Sequence, residues 1–551
     1  MLSAFCVCGA QEAGTQFNTE SAEAFFAASP NLAQEEKKYL DSAESEYLKD
    51  SPETAAYAMC VSKYLSALGA AKDKASPAVK VKILSSPVFL KEFVSTLSPK
   101  DNIPVMFDIL SKIEKSSPEK FDKYINLAAA IAIVFDAPPP ESWPHGQVDT
   151  KLLPRVFPDP VKAFSDIVSA RERGKFLMPT EKLSIEEAKY VVASVATDED
   201  KQWAQKSVSV NIPNIVKLYS SIQYDHARLN AKQYDWNGPD YRLKTIKARG
   251  GICVDQAYFT AECAKARGVP AFVFSGAGSD GFHAWTAYML RPGMWNFNVG
   301  RYEGARFVTG DTLDPQTWEK ATDHNLNAMR EGFRNGAKYA LSEIHAGFAK
   351  YFLSKGDAAK AEAAARKSVA ADPRNADAWQ TMVAAMKKSE KPAKELAKVY
   401  EAAIKSFSKY PDIDAEFRRE YMAMLVESGN AAAARKLSTS IILKTKSQRP
   451  DIAMEFARRE LESDIADGSA DKIISSYKRL LAPFKNDSAI ATQGLTVPIL
   501  NSLLKSGNVD CCREIMKATR QMFKGAKDAS LKTSLDSLDQ QIQNIADKKS
   551  N

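Results

Sequence analysis

Histidine is scarce in this chain, and its scarcity narrows the chemistry that the protein can perform. Only 5 histidines occur among 551 residues, and they are dispersed along the sequence. The 7 cysteines match neither a paired CxxC zinc site nor the dense disulfide framework of a small secreted domain. The sequence therefore argues against a metal centre, and we expect no cofactor.

Blocks of charge of one sign and long apolar runs are also missing. The 75 basic and 68 acidic residues are intermixed and leave a net charge of only +7, which gives nucleic-acid binding little support. The longest apolar run outside the N-terminus, residues 125–135, is too short to cross a bilayer and predicts a buried helix. We therefore expect no transmembrane span. A hydrophobic content of 45% is that of an ordinary soluble protein.

The first residues point to export. Residues 1–13 begin apolar and small and then turn polar, as at the end of a signal peptide, although the positively charged start of such a peptide is missing. This pattern predicts a truncated signal segment and a periplasmic or secreted protein. The alternative is a frayed N-terminus of a cytoplasmic protein.

The remaining chain is too long for one hydrophobic core, so several domains are expected. Apolar residues recur every three or four positions over residues 20–137, which predicts a helical N-terminal domain. Prolines crowd residues 138–160 and indicate a linker. A central domain is predicted over residues 161–335. The fold class is α+β and multidomain, mostly α-helical.

Residues 340–545 predict a stack of helix pairs. Gly356-Asp357 separates two helical stretches, the second is rich in alanine, and Asp372-Pro373 closes the pair. Turn signals recur near Pro411 and Pro450, about 39 residues apart, although the ideal repeat is about 34 residues. The first unit resembles a tetratricopeptide repeat, which implies a surface that binds proteins.

Cys253 is the candidate nucleophile. Gly250-Gly251 permits a sharp turn before it, and residues 257–267 predict a helix that ends at Gly268. Cys253 is therefore expected at a helix N-terminus, where the dipole and free N–H groups favour the thiolate. Its own N–H can donate to an oxyanion. The alternative is a buried, inert cysteine.

His283 is the candidate general base. A glycine-rich stretch leads to it, and residues 284–290 predict a strand. A single histidine is often structural, but one that lies thirty residues after a helix-starting cysteine suits proton transfer. No other histidine has a comparable context.

The order of these residues, with a strand opening His283-Ala284-Trp285, resembles the core of the transglutaminase-like superfamily, a branch of the papain-like thiol enzymes. The resemblance covers residues 241–318. It implies an α+β core and a third catalytic residue after a tryptophan on the next strand, usually an aspartate. Here that segment is Trp295-Asn296-Phe297-Asn298. Asn298 is the better match, and by alternation it shares one strand face with Asn296. It would fix the imidazole without adding charge.

The resemblance implies thiol-dependent acyl transfer on peptide or carboxamide substrates, with Cys253, His283 and Asn298 as catalytic residues. The thioester would pass to water, as in a peptidase or amidase, or to an amine, as in a transglutaminase. Nothing resembles the calcium loops of animal transglutaminases, so hydrolysis is favoured. A protein or peptide substrate is expected, with cell-wall peptide as one case if the chain is exported. The alternative is an idle scaffold within an interaction protein.

Several further residues are weaker candidates. Asp255 and Gln256 suit the first turn of the helix after Cys253 and need no other explanation. Gln233 or Trp236 could supply a second oxyanion donor, and Cys263 is expected in the core. Arg301 and Tyr302 are expected in a cleft rim or a solvated loop, and Asp314, with Asp311 nearby, is expected at the start of a helix.

Overall fold

The computed structural model describes residues 16–278, 281–301, 308–329, 331–466, 469–525 and 529–550. The predicted signal segment 1–13 and Tyr302 lie outside these residues. The chain divides into two compact units. The first comprises Met1–Phe348 with Ala370–Asp372, and the second comprises Ala349–Val369 with Pro373–Asn551.

The protein is mostly α-helical and contains a small antiparallel sheet, as the sequence predicted at this level. Many helices begin at Pro in the first turn, where the missing N–H costs nothing. The N-terminal helices are α1 (Thr19–Ala28), α2 (Leu32–Leu48), α3 (Pro52–Ala70), α4 (Pro77–Leu84), α5 (Pro87–Thr96), α6 (Ile103–Ser116), α7 (Pro118–Lys123) and α8 (Ile125–Val134). Helix α8 is buried along most of its length, as its uniform apolar sequence predicted.

The proline-rich segment 138–160 packs within the first unit. Trp143 is buried and its ring lies 5.5 Å from that of Trp318. The buried Arg155 donates from Nε to the carbonyl of Trp143 at 3.0 Å and from a terminal nitrogen to the carbonyl of His145 at 3.0 Å. A guanidinium that satisfies backbone carbonyls holds irregular chain in place without helix or strand. The sequence favoured a packed extended segment around Trp143, but it could not identify Arg155 or Trp318 as its partners.

The central part of the first unit combines helices with the sheet. Its helices are α9 (Pro160–Glu172), α10 (Ile185–Val192), α11 (Asp198–Ser207), α12 (Val216–Ser220), α13 (His226–Asn230), α14 (Leu243–Arg249), α15 (Cys253–Ala266) and α16 (Asp323–Met329). Its strands are β1 (Ala271–Gly278), β2 (Gly281–Arg291), β3 (Met294–Val299), β4 (Val308–Leu313) and β5 (Lys320–Thr322).

The sheet has the order β3-β2-β1-β4-β5, and each described neighbouring pair is antiparallel. Helix α15 packs against β1 and β2, and Thr286 on β2 donates to the carbonyl of Ala257 on α15 at 3.0 Å. One continuous core includes apolar residues of the N-terminal helices, α15 and the sheet. The start of α15 therefore lies at a rigid helix–sheet junction.

The C-terminal helices follow one another with short connections. They are α17 (Ala337–Ser354), α18 (Ala358–Ala371), α19 (Ala376–Lys388), α20 (Ala393–Ser406), α21 (Pro411–Glu427), α22 (Ala431–Thr445), α23 (Pro450–Ala466), α24 (Ala470–Leu481), α25 (Ser488–Ala491), α26 (Val497–Lys505), α27 (Val509–Met522) and α28 (Ala529–Ser550). From α19 to α24 each helix packs on the next, with stacked pairs such as Tyr400 and Tyr421. The tetratricopeptide likeness stays a prediction. Within the described residues, no helix is long and apolar enough to cross a membrane.

Candidate active site

Two glycines deliver the chain to the start of α15. Gly250 ends α14 with φ +80, a conformation that L side chains rarely adopt, and a Cβ there would lie 2.4 Å from the carbonyl oxygen of Gln223. Gly251 donates its N–H to that same carbonyl at 2.9 Å. A Cβ on Gly251 would lie 2.4 Å from the Cβ of Asp255. The close approach that Gly250-Gly251 predicted is therefore present, and it places Cys253 as the first residue of α15.

The first N–H groups of α15 remain available for a ligand. The N–H groups of Asp255 and Gln256 both bond to the carbonyl of Ile252, at 2.9 and 3.1 Å. Those of Cys253 and Val254 bond to no oxygen of the described residues. Free N–H groups at a helix N-terminus attract negative charge. These two donors lie beside the thiol, where an oxyanion would form.

Burial sets the protonation of the Cys253 thiol. The side chain is partly exposed, yet burial raises the pKa of the thiol above its ordinary value. The N–H groups of Ala284, Val254 and Cys253 itself act in the opposite direction, and Asp255 raises the pKa further. The sequence led us to expect a depressed thiol pKa at this helix N-terminus. Desolvation outweighs the dipole here, so the resting thiol is protonated and needs a base to react.

His283 lies on β2, one residue from the backbone that contacts the Cys253 sulfur. The N–H that faces the sulfur is that of Ala284, the next residue on the strand. The ring Nε2 of His283 lies 2.7 Å from the carbonyl oxygen of Gly300. A carbonyl only accepts, so this bond assigns the proton of the neutral ring to Nε2 and leaves Nδ1 as the basic nitrogen. The tautomer is thus the one that a general base requires.

Asn298 forms no hydrogen bond with this imidazole. Its side-chain oxygen accepts from Arg301 at 3.2 Å, and its N–H donates to Asn296 at 2.9 Å. Burial alternates along β3, so Asn296 and Asn298 share its less buried face, as the alternation predicted, while the pairing with β2 shifts register between Val299 and Asn296. The backbone carbonyl of Gly300 holds the ring instead. Sequence reasoning could not find this group, because every residue carries a carbonyl.

A buried polar network supports the turn before Cys253. Asp255 is fully buried and accepts from the Tyr241 hydroxyl at 2.9 Å, from the N–H of Ile252 at 2.8 Å and from the Arg228 guanidinium at 2.9 Å. The Tyr241 hydroxyl also lies 2.9 Å from Nε2 of His145. We define Arg228, Asp255, Tyr241 and His145 as the buried network. It joins the loop before α14, the start of α15 and the proline-rich segment.

The protonation of the buried network follows from its hydrogen bonds. Burial, with Arg155 and Arg228 nearby, lowers the pKa of His145 to about 3, so this ring is neutral at physiological pH. Tyr241 donates to Asp255, and His145 therefore donates from Nε2 to the Tyr241 oxygen. Burial raises the pKa of Asp255, while Arg228, Tyr241 and the Ile252 N–H lower it. The sequence assigned Asp255 only to the helix dipole, and its partners are too remote along the chain to signal the network.

The weaker candidates are buried or have hydrogen-bond and ion-pair partners other than the Cys253 sulfur. The indole N–H of Trp236 donates to the carbonyl of Asp240 at 2.9 Å, so it is not free for an oxyanion. Cys263 is fully buried in the core. Arg301 is buried, forms an ion pair with Asp323 and lies over the Trp285 ring at 5.2 Å.

Two aspartates beyond β3 have structural roles. Asp314 accepts from the N–H groups of Gln316 and Thr317, at 2.8 and 3.1 Å, and closes a turn where the sequence suggested the start of a helix. Asp311 pairs with Lys320 at 3.1 Å. Neither contacts His283 or Cys253.

The described part of the chain contains no cluster of three or more His, Cys, Asp or Glu residues arranged to hold a metal ion. The start of α15 thus carries a thiol and two helix N–H groups, and β2 carries an imidazole, which are the kinds of group that attack on a carbonyl requires. No protein-family model matches this chain, and no curated protein does either.

Proposed function

We propose that this protein is a thiol-dependent acyl-transfer enzyme of transglutaminase-like type that acts on peptide or carboxamide substrates. Cys253 is the nucleophile, His283 is the general base, and the carbonyl of Gly300 orients the imidazole. The observation that carries the proposal is the hydrogen bond from Nε2 of His283 to the Gly300 carbonyl, at 2.7 Å. The next residue on the strand, Ala284, directs its N–H at the Cys253 sulfur. The bond to Gly300 commits one ring nitrogen as a donor and leaves the other free to take the thiol proton.

The reaction follows from these groups. The Cys253 proton passes to Nδ1 of His283 as the sulfur bonds to the substrate carbonyl carbon, and the carbonyl electron pair moves to its oxygen. The N–H groups of Cys253 and Val254 stabilise that oxyanion. The C–N bond then breaks, and the leaving amine takes the proton from His283. The product is a thioester on Cys253 and a free amine or ammonia.

Deacylation restores the enzyme. In hydrolysis, His283 takes a proton from water, the hydroxide oxygen bonds to the thioester carbon, and the sulfur leaves and regains a proton. An amine in place of water would give a new amide. We favour hydrolysis, and we propose a protein or peptide substrate that the C-terminal helices help to bind. We also propose export, on the basis of the signal-like residues 1–13 alone.

A thiol paired with an imidazole base suits the raised pKa of Cys253. In such a pair the proton moves during attack, as in serine hydrolases, and no stable thiolate is needed beforehand. The departure of Asn298 from the ring does not weaken this scheme, because a carbonyl also fixes the tautomer. Its cost is that no carboxylate among the described residues bonds to the ring to stabilise the imidazolium.

The test is product analysis with a diverse peptide pool. The full chain is incubated with the pool, and mass spectrometry identifies cleaved, deamidated or cross-linked peptides. Cys253→Ala is expected to abolish every product, because it removes the nucleophile. Cys60→Ala is the matched control, because Cys60 is also a partly buried free cysteine but lies on α3.

The role of the base is tested in the same assay. His283→Gln is expected to lower turnover by a factor on the order of 10² to 10⁴. His226→Gln, at an exposed histidine, should leave turnover unchanged. Products that persist in Cys253→Ala would overturn the proposal. Wild-type protein that yields no product and whose Cys253 is no more reactive than Cys60 would favour the idle scaffold.

A further inference from the structure

A cavity of about 150 Å³ lies between α9 and α11, remote from the thiol. Its back wall includes Lys265 and Ala266, in the last turn of α15. Cys253 begins the same helix, and 14 helical residues span about 20 Å. The cavity is therefore separate from the proposed active site and needs its own explanation.

Half of the residues that line the cavity are hydrophobic. The hydrophobic residues that line it are Phe135, Pro158, Ala163, Ile167, Ala170, Phe176, Val191, Val192 and Ala266. In other proteins an apolar cavity of about 150 Å³ accommodates benzene. The volume thus fits a hydrocarbon body of about the size of one six-membered ring, and it is too small for a peptide or a nucleotide.

The positive charges around the cavity differ in their pairing. The ammonium of Lys162 lies 2.6 Å from both Asp166 and Asp198. Lys265 bonds to Glu262 at 2.8 Å and to the carbonyl of Ala193 at 2.6 Å. Both of these lysines are therefore satisfied by the protein itself.

Lys201 is the exception. It is partly buried on the cavity wall, yet its ammonium forms no ion pair or hydrogen bond with any residue that the structure describes. Burial lowers the pKa of this ammonium, although Glu262, Asp198 and Asp166 partly oppose the shift. A partly desolvated cation without a hydrogen-bonded acceptor is costly. Arg173, exposed at the same cavity, also has no carboxylate partner among the described residues.

We propose that this cavity is a second ligand site, which binds a small carboxylate with a compact ring or branched hydrocarbon body. The hydrocarbon fills the apolar space, and the carboxylate accepts from the Lys201 ammonium, with Arg173 adding positive charge at the mouth. Inorganic phosphate fits less well, because it leaves the hydrophobic half of the walls without a partner and because Asp166 and Asp198 repel a dianion. The proposal is independent of the chemistry at Cys253.

The test uses benzoate as the probe and the full chain. Titration calorimetry or ligand-observed NMR at neutral pH is expected to show saturable binding of benzoate, and much weaker binding of benzyl alcohol, which has the same ring without the charge. Lys201→Met should weaken benzoate binding at least about tenfold, since a charge-assisted hydrogen bond is lost. Lys206→Met is the matched control, because Lys206 is exposed on the same helix and does not line the cavity.

A second variant tests the cavity without changing charge. Ala163→Leu should fill the space and abolish benzoate binding while Lys201 remains. Lys201→Met and Ala163→Leu are both expected to keep the wild-type unfolding temperature to within a few degrees, so a loss of binding is not a loss of fold. Three results would overturn the proposal: no saturable binding by the wild type, equal affinity in Lys201→Met, or benzyl alcohol binding as tightly as benzoate.

Discussion

Cys253 experiences two opposing influences. The helix N-terminus and the N–H of Ala284 favour the thiolate, whereas burial and Asp255 favour the thiol, and burial is the largest effect. The balance leaves a nucleophile that is inactive until a neighbouring base takes its proton. The reactivity of the Cys253 thiol can therefore be measured with a general alkylating reagent, without knowledge of the substrate.

Alkylation of Cys253 should follow its raised pKa. The rate of reaction with iodoacetamide, measured at this residue by peptide mass spectrometry, is expected to rise with pH and reach half its maximum above the midpoint of an ordinary exposed thiol. The thiol form dominates below the pKa, so the rate falls as the solution is acidified. A maximal rate already reached at mildly acidic pH would contradict the neutral thiol–imidazole pair and indicate a preformed thiolate.

Asp255 should be a stability residue as well as a positioning one. Asp255→Asn removes the charge that pairs with Arg228 and leaves a buried guanidinium without its anion, which costs on the order of 3 kcal/mol of unfolding free energy. Urea denaturation measures the change. Asp235→Asn, at an exposed position of the loop between α13 and α14, is the control and should change stability by less than about 0.5 kcal/mol. A similar small effect at Asp255 would show that the buried network contributes little.

His145 should make stability depend on pH. Its pKa is about 3 when folded and near 6.5 in the unfolded chain, so the unfolded state binds more protons between these values. The contribution is complete above about pH 6.5 and is lost progressively as the pH falls towards 3. His145→Gln, which can still donate to Tyr241, should reduce the loss between pH 6.5 and 4 by an amount on the order of 2 kcal/mol. Denaturation curves across this range decide the matter, and parallel pH profiles in the two proteins would contradict the assignment.

At the scale of elements, the junction between α14 and α15 controls where the nucleophile lies. The turn depends on a positive φ at Gly250 and on the hydrogen bond from Gly251 to the Gln223 carbonyl. Any side chain at Gly250 would press on that carbonyl, so the position of Cys253 relative to β2 depends on a residue that carries no chemistry itself.

Gly250→Ala should therefore destabilise the protein more than a positive φ alone requires. The conformation of Gly250, φ +80 and ψ −173, is essentially restricted to glycine and costs an alanine about 1–3 kcal/mol, and the 2.4 Å approach to Gln223 adds a backbone displacement. Gly174→Ala is the control, because Gly174 has φ +68 but no atom within 4 Å of an added Cβ. Denaturant unfolding should show the larger loss for Gly250→Ala, together with reduced alkylation of Cys253. Equal losses of unfolding free energy would mean that the turn accommodates the added Cβ at little cost.

At the scale of the whole molecule, the cores divide as the two compact units do. The buried residues of the first core run from Ala22 to Val299, whereas those of the second run from Ala415 to Ile542. The thiol, the imidazole, the buried network and the cavity all belong to the first unit. The chemistry and the C-terminal helices should therefore be separable.

A fragment ending at Asp372 tests this division. We expect residues 1–372 to fold cooperatively, because the first core needs no residue beyond them. The fragment should give a helical circular dichroism spectrum, and its Cys253 should show the same alkylation profile as in the full chain. Proteolysis of a protein substrate should fall if the C-terminal helices help to bind it, while reaction with small peptides continues. An unfolded fragment would contradict the independence of the first core.

Much of this organisation could be predicted from local sequence. Three signals were local: Pro, Asn or Ser at helix starts, the uniform apolar run of α8, and the glycine pair before α15. Each affects only the conformation of the residues next to it in the chain. The hydrogen bond of Asn298 with Arg301 could not be predicted, because it depends on how the chain turns after β3. The partners that pack the proline-rich segment could not be predicted, because Arg155 and Trp318 hold it through tertiary contacts.

The sequence by itself determined that a thiol would begin a helix and that one histidine would follow on a strand, because glycine conformation and helix capping are local effects. Only the tertiary structure decided that the thiol is protonated, that the Gly300 carbonyl orients the ring, and that Asp255 joins His145 through Tyr241. Each of these depends on burial or on groups from distant parts of the chain, and desolvation and hydrogen-bond pairing exist only once the chain has folded.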